Sequence, residues 1–292
     1  MLESSDLRIF QMVAREGSVS KAAQKLQYVQ SNVSARIKHL ESSLGTSLFY
    51  RHKKGVTLTA TGKILLTYSN RILYLLKEAE AALTAPDSPR GSLSIGAKDS
   101  TAAVRLPSIL ARYRKRFPEV DLSLMTGTTE EIVSSLLEYQ LDCGIVAGPV
   151  HHPDLVQEVI AQEEIVLVSD LETPPVRRLR NLKRPLFLVN RKGCAHRFLL
   201  EQWLRDEGIP AKFMEFGGVE TILKSVRAGL GYTLTSRTVV QESEMDQAVK
   251  CHPVPEKYSS LPTVLIRRQD VQLNSTLKSF LEIIQEDYGK QT

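Results

Sequence analysis

The stretch SVSKAAQKLQYVQSNVSARIKHL, residues 18–40, decides how the amino-terminal part of the chain folds. Ser18 is a residue type that caps helices, and a second apolar pattern begins near Gln30 after a short connection at residues 27–29. In each half the apolar side chains recur at helical spacing: Ala22, Ala23 and Leu26, then Val33, Ile37 and Leu40. The pattern predicts two short helices joined by a turn, a helix-turn-helix over residues 18–37.

The face of the second helix opposite this apolar stripe is polar. It offers amide, hydroxyl and basic side chains: Gln30, Ser31, Asn32, Ser34, Arg36 and Lys38. In a helix-turn-helix the second helix enters the major groove of DNA, where Gln and Asn pair with adenine and Arg pairs with guanine. An ordinary amphipathic hairpin with a solvated outer face shows the same pattern, so both interpretations remain open on these residues alone.

Residues 48–59, LFYRHKKGVTLT, predict a two-stranded wing after the second helix. Phe49, Val56 and Leu58 are expected to pack inward. Basic side chains fall at or near a glycine-containing tip, where DNA phosphates can be met: Arg51, His52, Lys53 and Lys54. A wing of this kind favours the DNA-binding interpretation of the hairpin.

Together these motifs resemble the winged helix-turn-helix of LysR-type transcriptional regulators. The likeness is almost position by position over DLRIFQMVAREGSVSKAAQKL, residues 6–26, and NVSARIKHLESSLGTSLFYRHKKGVTLTATGK, residues 32–63. Two departures are Val29, where the family commonly has serine, and Ser31, where it commonly has proline; they remove a helix cap and a favoured first-turn residue. The resemblance implies a DNA-binding domain over residues 1–58 and double-stranded DNA as a partner.

Charge is unevenly distributed along the chain. The net charge of +5 arises in the first 64 residues, which hold ten basic and four acidic side chains, whereas the remaining 228 residues are nearly neutral. An excess of positive charge in a small unit favours a polyanionic partner. The three cysteines are widely spaced and predict neither a disulfide framework nor a metal site, and we expect no metal and no cofactor.

We expect a cytoplasmic protein without a membrane partner, because the chain shows no basic-then-apolar leader and no apolar run of about 18 residues. With 292 residues and 42% hydrophobic side chains, it is long enough for about two domains.

A long helix is predicted from Thr59 or Thr61 to about Thr84, before Pro86 and Pro89. Its apolar residues follow the alternating spacing of a coiled-coil seam: Leu65, Tyr68, Ile72, Leu75 and Ala79. Leu66, Leu73, Leu76 and Leu83 form a neighbouring stripe, expected to pack on the winged domain. A helix packed inside one globule is the alternative. The resemblance implies a dimerisation linker at 59–86 and a homodimer or homotetramer.

From residue 92 onward, strands alternate with helices, which predicts parallel βαβ units and an α/β fold overall. The pattern divides into lobe I, about 92–163 and 263–292, and lobe II, about 164–262. The resemblance implies an effector-binding domain over residues 87–292, two-lobed and similar to type 2 periplasmic binding proteins, after a hinge at 87–91.

Four strand-to-helix turns are expected to face a cleft between the lobes. The candidate effector-binding residues lie on them: Ser100, Thr101, Thr128, Thr129, Cys194, His196 and Val219. Helix starts carry partial positive charge, which suits a small anionic effector. The alternative is that these hydroxyl residues are plain helix caps. In LysR-type proteins the turn matching Ser100 and Thr101 commonly holds the effector.

The leading hypothesis is a DNA-binding transcriptional regulator that responds to a small molecule, with RNA polymerase as a further candidate partner. A redox-responsive regulator is one alternative, because Cys194 lies among basic residues near a helix start. An enzyme is disfavoured, since no GxSxG, HExxH, P-loop or GxGxxG motif occurs. A solute-binding protein would need export and no winged helix.

Overall fold

The structure is a computed structural model that describes residues 2–84, 88–182 and 185–288. Apart from residues 138–140, it divides into two compact units, residues 1–85 and residues 86–292. The end of the expected linker at 86 and the start of the expected hinge at 87 lie outside the described residues. Each unit is described separately below.

The amino-terminal unit is a winged helix-turn-helix followed by one long helix. Its elements are α1 Ser4–Glu16, α2 Val19–Leu26, α3 Gln30–Leu44, β1 Phe49–His52, β2 Gly55–Leu58 and α4 Ala60–Thr84. The Ser18 hydroxyl caps α2 by accepting from the Lys21 amide, as the sequence predicts. Val29 precedes α3 and supplies no side-chain cap, as expected for an apolar residue there.

The core of this unit forms where the three first helices meet the wing. Its fully buried members come from α1, α2, α3 and the segment just before β1: Phe10, Val13, Ala22, Val33, Ile37, Leu40 and Leu48. The Phe10 and Phe49 rings pack with centroids 5.2 Å apart, which joins α1 to β1. Each buried side chain of this size stabilises the fold by roughly 1.5–3 kcal/mol relative to exposure. The periodic stripes seen in the sequence are therefore the core.

Helix α4 begins as predicted, because the Thr59 hydroxyl accepts from the Gly62 amide at 2.9 Å. The predicted seam is largely exposed: the exposed fractions of Tyr68, Ile72 and Leu75 are 58%, 37% and 49%. Ala79 is exposed as well. Leu65 is the exception, since it packs against the amino-terminal core, and Ile64, at 59% exposure, takes its place on the open stripe.

The neighbouring stripe is predicted to pack on the winged domain, and only part of it does. Leu66 contacts the core, whereas Leu76 and Leu83 are exposed. The winged domain is shorter than α4, so its core ends before the helix does. The exposed side chains of Leu76 and Leu83 therefore lie beyond the core of the winged domain.

The second unit is an α/β domain. Its strands are β3 Gly91–Lys98, β4 Val120–Gly127, β5 Cys143–Ala147, β6 Leu155–Ser169, β7 Leu186–Asn190, β8 Lys212–Phe216, β9 Thr233–Ser236, β10 Lys250–Pro253 and β11 Ser260–Arg268. Its α-helices are α5 Asp99–Val104, α6 Leu106–Arg116, α7 Thr129–Leu137, α8 Ala195–Asp206, α9 Val219–Arg227, α10 Arg237–Glu242 and α11 Ser275–Tyr288.

The sheet is mixed rather than purely parallel, which corrects the sequence-based prediction. β3 pairs in parallel with β4 and β5, as expected, but β11 is antiparallel to both β5 and β6. β6 begins at Leu155, well before the apolar run predicted from 164, because its polar first half is held by pairing with β11. Its second half pairs with β9 and β10 instead.

The lobe boundary predicted between residues 163 and 164 therefore falls inside one continuous strand. Lobe I holds β3, β4, β5, β11 and the first half of β6, and lobe II holds β7 to β10 and the second half. Separate cores support the two lobes, with Tyr113 and Phe280 in lobe I and Phe187 and Trp203 in lobe II. The chain passes from lobe I to lobe II within β6 and returns to lobe I just before β11.

Candidate functional site

The outer face of α3 presents most of the predicted polar residues. Ser31, Asn32 and Lys38 are exposed, and Ser34 is partly exposed. The Gln30 side chain is exposed but accepts a hydrogen bond from the Ser20 hydroxyl at 3.0 Å, which holds it beside α2. His39 is exposed on the same helix and was missed, because histidine gave no signal in the sequence pattern.

Arg36 is placed differently from the prediction. Its guanidinium Nε donates to the Asp6 carboxylate, and Nη2 donates to the Ser5 hydroxyl at 2.7 Å. Asp6 is only 6% exposed, and its hydrogen bond raises the pKa of Arg36. The assignment of Arg36 to the open outer face is therefore corrected: this side chain ties α3 to α1. A pairing across 30 residues of sequence leaves no trace in the helical period.

The wing carries its lysines at the tip, as the sequence predicts. Lys53 and Lys54 form the exposed turn between β1 and β2. Arg51 lies further back, 3.9 Å from the Glu41 carboxylate at the end of α3. The Val56 amide donates to the Gly17 carbonyl at 2.9 Å, so the wing is fixed to the connection between α1 and α2. The two lysines thus project from an anchored hairpin.

In the second unit the predicted turns line three adjoining cavities. The first, about 380 Å³ with its open mouth, is bordered by Ser100, Thr128, Thr129, Cys194 and His196. The second, about 350 Å³ including its open mouth, adds Val219 and shares Ser100, Cys194 and His196 with the first. The third is smaller and includes Thr101. All seven candidate effector residues therefore meet in one region, while their ligand role stays a prediction.

A wider groove of about 930 Å³ lies at the other end of α8 and contains none of these residues.

Thr128 also caps a helix, which was the alternative to a ligand-binding role for these hydroxyl residues. The Thr128 hydroxyl accepts from the Glu131 amide at 3.3 Å, and the Glu131 carboxylate accepts from the Thr128 amide at 2.8 Å. This reciprocal pair is a capping box at the start of α7. Thr128 therefore has a structural role, and a ligand would share its hydroxyl with the helix.

Lys98 is the main residue that the sequence analysis missed. It ends β3, is only 9% exposed, and lines both the first and the third cavity. Its ammonium donates to the Thr263 hydroxyl at 3.2 Å, and burial lowers its pKa. Nearby, Arg105 lies 3.6 Å from Glu163. The signal that could have identified Lys98 is a charged residue at the end of the apolar strand SLSIGAK.

His196 is neutral at physiological pH, because burial, helped by the charge of Lys98, lowers its pKa to about 3. Its Nε2 atom has no hydrogen-bond partner among the described residues. Cys194 precedes α8 without a side-chain cap, and its neighbour Asn190 approaches the sulfur at 3.8 Å. The polar groups of this turn are therefore available to a ligand.

The structure offers Cys194 no partner sulfur. All three cysteines are free, with Cys143 in β5 and Cys251 in β10. Burial raises the pKa of the Cys143 and Cys251 thiols, which disfavours the reactive thiolate at both. Within the described part of the chain, no group of His, Cys, Asp or Glu side chains is arranged to hold a metal ion.

Two family models match the chain. One, described as a bacterial regulatory helix-turn-helix protein of the lysR family, matches residues 4–63; the other, described as the LysR substrate binding domain, matches residues 86–289. The chain belongs to the LysR family of transcriptional regulators. The resemblance inferred from the winged motif is thereby confirmed, and so is the predicted fold class, a helix-turn-helix domain with an α/β effector-binding domain.

Curated relatives align with nearly the whole length of this chain. The HTH-type transcriptional regulator GltR of Bacillus subtilis is 43% identical over 283 residues, 97% of this chain and 96% of that protein. CzcR of Bacillus anthracis is 44% identical over 288 residues, 98% of each. These relatives are transcriptional regulators, so this protein is a DNA-binding regulator with an effector-binding domain and not an enzyme.

Solved structures share the fold. A full-length OxyR variant from Pseudomonas aeruginosa has a TM-score of 0.77 at 18% identity, covering 99% of this chain and 95% of that chain. Full-length CbnR, solved with its target DNA, has a TM-score of 0.68 at 22% identity, covering 98% and 100%. Among the described residues, no helix combines the length and apolar character needed to cross a bilayer.

Proposed function

We propose that this LysR-family regulator recognises its operator through the outer face of α3 and the wing. Ser31, Asn32, Ser34 and Lys38 face base edges in the major groove, with Gln30 at the margin, and Lys53 and Lys54 meet phosphates. The observation that supports this assignment is the polar, exposed face of α3 in a unit whose net charge is +6. Base-edge contacts give sequence specificity and phosphate contacts give affinity.

We propose further that two chains pair through α4. Ile64, Tyr68, Ile72 and Leu75 form an exposed apolar stripe along one side of the helix, and an unpartnered stripe of this kind is unfavourable in water. A second copy of the helix covers it and places two α3 helices on one DNA duplex. The homodimer is the minimal assembly, and a tetramer would use additional contacts between effector-binding domains.

The cavities between the turns of the second unit are the proposed effector site. A small molecule that binds one arrangement of the two lobes better than another shifts their equilibrium and so changes DNA binding. We place this activity in the cytoplasm, where the DNA of a bacterial regulator lies. RNA polymerase is a further proposed partner, because a protein bound at a promoter acts on the enzyme that starts transcription there.

A mobility-shift assay with the DNA upstream of the protein's own gene tests the DNA contacts. We expect Asn32→Ala to weaken the specific complex by about 1–3 kcal/mol and to leave random DNA binding nearly unchanged. Lys53→Ala and Lys54→Ala should weaken both complexes and reduce the salt dependence by about one charge each. Lys115→Ala, which removes an exposed charge from the second unit, is the matched control. Equal losses on both DNAs for Asn32→Ala would reject base readout.

A further inference from the structure

Two cations share one buried carboxylate at the floor of the effector site. Lys98 and Arg105 are the cations, and Glu163, 4% exposed, is the carboxylate that acts on both. Asp99, which is partly exposed, adds a second carboxylate to the lining of the first cavity. Arg105 approaches Glu163 at 3.6 Å, whereas Lys98 reaches it through the Thr263 hydroxyl, which donates to Glu163 at 3.3 Å. Within the described residues, no carboxylate forms an ion pair with Lys98. A buried ammonium held by a neutral hydroxyl favours an anion beside it.

The second cavity is lined by buried polar atoms that lack hydrogen-bond partners in the described part of the chain. Three polar atoms have no hydrogen-bond partner among the described residues, and all three belong to side chains that line it: Asn190 Oδ1, His196 Nε2 and Thr235 Oγ1. His196 is 7% exposed and Thr235 only 2%. Buried polar atoms are normally paired, so three orphans in one small cavity mark the place of a ligand's polar group.

The residues that line the second cavity determine which charge the ligand's polar group can carry there. Neither Asp nor Glu lines it, so an ammonium group would enter without a counter-charge. Arg197 is the one basic guanidinium of the lining, and it is already bound to Glu201 at 2.9 Å and Glu215 at 2.7 Å. A second carboxylate would therefore find no available cation. A neutral hydroxyl both donates and accepts hydrogen bonds, so it can pair with the side chains of Asn190, His196 and Thr235.

We propose, building on the effector role assigned above, that the ligand is a short hydroxycarboxylate ion that spans the first and second cavities. Its carboxylate lies against the Lys98 ammonium, and its hydroxyl bonds with Asn190, His196 and Thr235. The two cavities adjoin, because they share Ser100, Cys194 and His196, so one small molecule can contact both.

A purely structural explanation makes different predictions. If Lys98 serves only to hold Thr263 and Glu163, its removal destabilises the protein and no small anion has an effect. If the orphaned atoms are bridged by water alone, a hydroxyl on the acid adds nothing to binding. The two explanations therefore separate on the chemistry of the added probe.

Thermal unfolding of the full chain with a closed set of acids tests the proposal. The probes are glycolate, lactate and hydroxybutyrate, their unhydroxylated counterparts acetate, propionate and butyrate, and the amides glycolamide and lactamide. A ligand that binds only the native state raises the unfolding temperature. We expect at least one hydroxycarboxylate to bind about tenfold more tightly than its unhydroxylated counterpart, and no effect from the amides. No rise with any acid, or equal rises with acids and amides, would overturn the proposal.

Variants assign the two ends of the ligand. Lys98→Met should abolish the response to all the acids, and Lys98→Gln provides a polar version should the methionine variant fold poorly. Thr235→Val should keep the response to acids and lose the preference for the hydroxylated ones. Lys115→Met is the control for charge removal at an exposed site. A wild-type response in both Lys98 variants would place the anion elsewhere.

The mobility-shift assay separates this proposal from the proposed function. A specific DNA complex that responds to a neutral metabolite but to none of the hydroxycarboxylates would leave the regulator intact and reject the hydroxycarboxylate. Absence of any specific complex with the wild-type protein would reject the proposed DNA contacts themselves, whatever the acids do to the unfolding temperature.

Discussion

At the scale of single residues, Arg36 shows how a side chain with a DNA-reading chemistry can serve the fold instead. Its bond to the buried Asp6 carboxylate joins α3 to α1. Arg36→Met should lower the free energy of unfolding by about 1–2 kcal/mol, because Asp6 then lacks its partner. Urea denaturation measures the loss. Lys38→Met, at an exposed position of the same helix, should change stability by less than about 0.5 kcal/mol. Normal stability together with an altered base preference in the Arg36→Met variant would contradict this role.

Gly62 is a second residue whose behaviour follows from the structure alone. Alanine normally stabilises a helix by up to about 1 kcal/mol relative to glycine. At Gly62, however, an added Cβ would lie 2.1 Å from the Leu48 carbonyl oxygen, a backbone atom that cannot swing away. We expect Gly62→Ala to destabilise the amino-terminal unit by about 1–3 kcal/mol in denaturant unfolding. Thr67→Ala, at an exposed position of the same helix, should be neutral or slightly stabilising. Equal gains in both variants would remove the close contact as a constraint.

At the scale of elements, the proposed dimer depends on α4. Ile72→Glu would place a charge in the proposed seam, where it would be buried without a partner, and should shift the protein toward monomers. Sedimentation velocity checks the oligomeric state, and circular dichroism confirms that α4 is intact. Thr67→Glu, the same added charge away from the apolar stripe, is the control and should leave assembly unchanged. A dimer that survives Ile72→Glu with full helicity would exclude this stripe as the interface.

Elements differ in how far the sequence alone predicts them. α1 to α4 and the wing are predicted well, because each buries one face and its apolar residues recur with the period of its own backbone. β6 is predicted only in its apolar half, since residues 155–163 become a strand by pairing with β11 from the far end of the chain. Leu65 is predicted to belong to the seam but packs against the amino-terminal core, because a seam contact and a core contact have the same helical spacing.

At the scale of the whole molecule, the sequence predicts which turns line the effector cavities but not what completes them. Ser100, Thr101 and Cys194 are identifiable because each follows the carboxyl end of a strand, β3 or β7, that pairs in parallel with a neighbour. Lys98 and Thr235 are not, since their roles depend on burial: one carries an unbalanced charge and the other an unpartnered hydroxyl. Burial of a particular polar atom results from tertiary packing, which no local pattern encodes.

The stability of the effector-binding unit should depend on pH through two buried histidines. His252 accepts from the Val176 amide at Nδ1 and contacts the Ser169 hydroxyl at Nε2, and burial lowers its pKa. Burial also lowers the pKa of His196 to about 3. In the unfolded chain both would bind a proton near pH 6.5, whereas the folded protein keeps them neutral, so unfolding takes up protons below that pH and acid favours the unfolded state.

His196 should therefore contribute a slope of about 1.4 kcal/mol per pH unit, stability falling as the pH drops from about 6.5 toward about 3, and His252 should lower stability in the same direction. Urea unfolding between about pH 4 and pH 7 tests this expectation. His196→Gln should flatten the curve by about one proton, His252→Gln should flatten it in the same direction, and the double variant should flatten it most. Differences from wild type that do not change with pH would show that the folded protein already binds these protons. His196 would then be a charged donor in the cleft, and the neutral hydrogen-bonding end proposed for the ligand would have to be replaced by an anion.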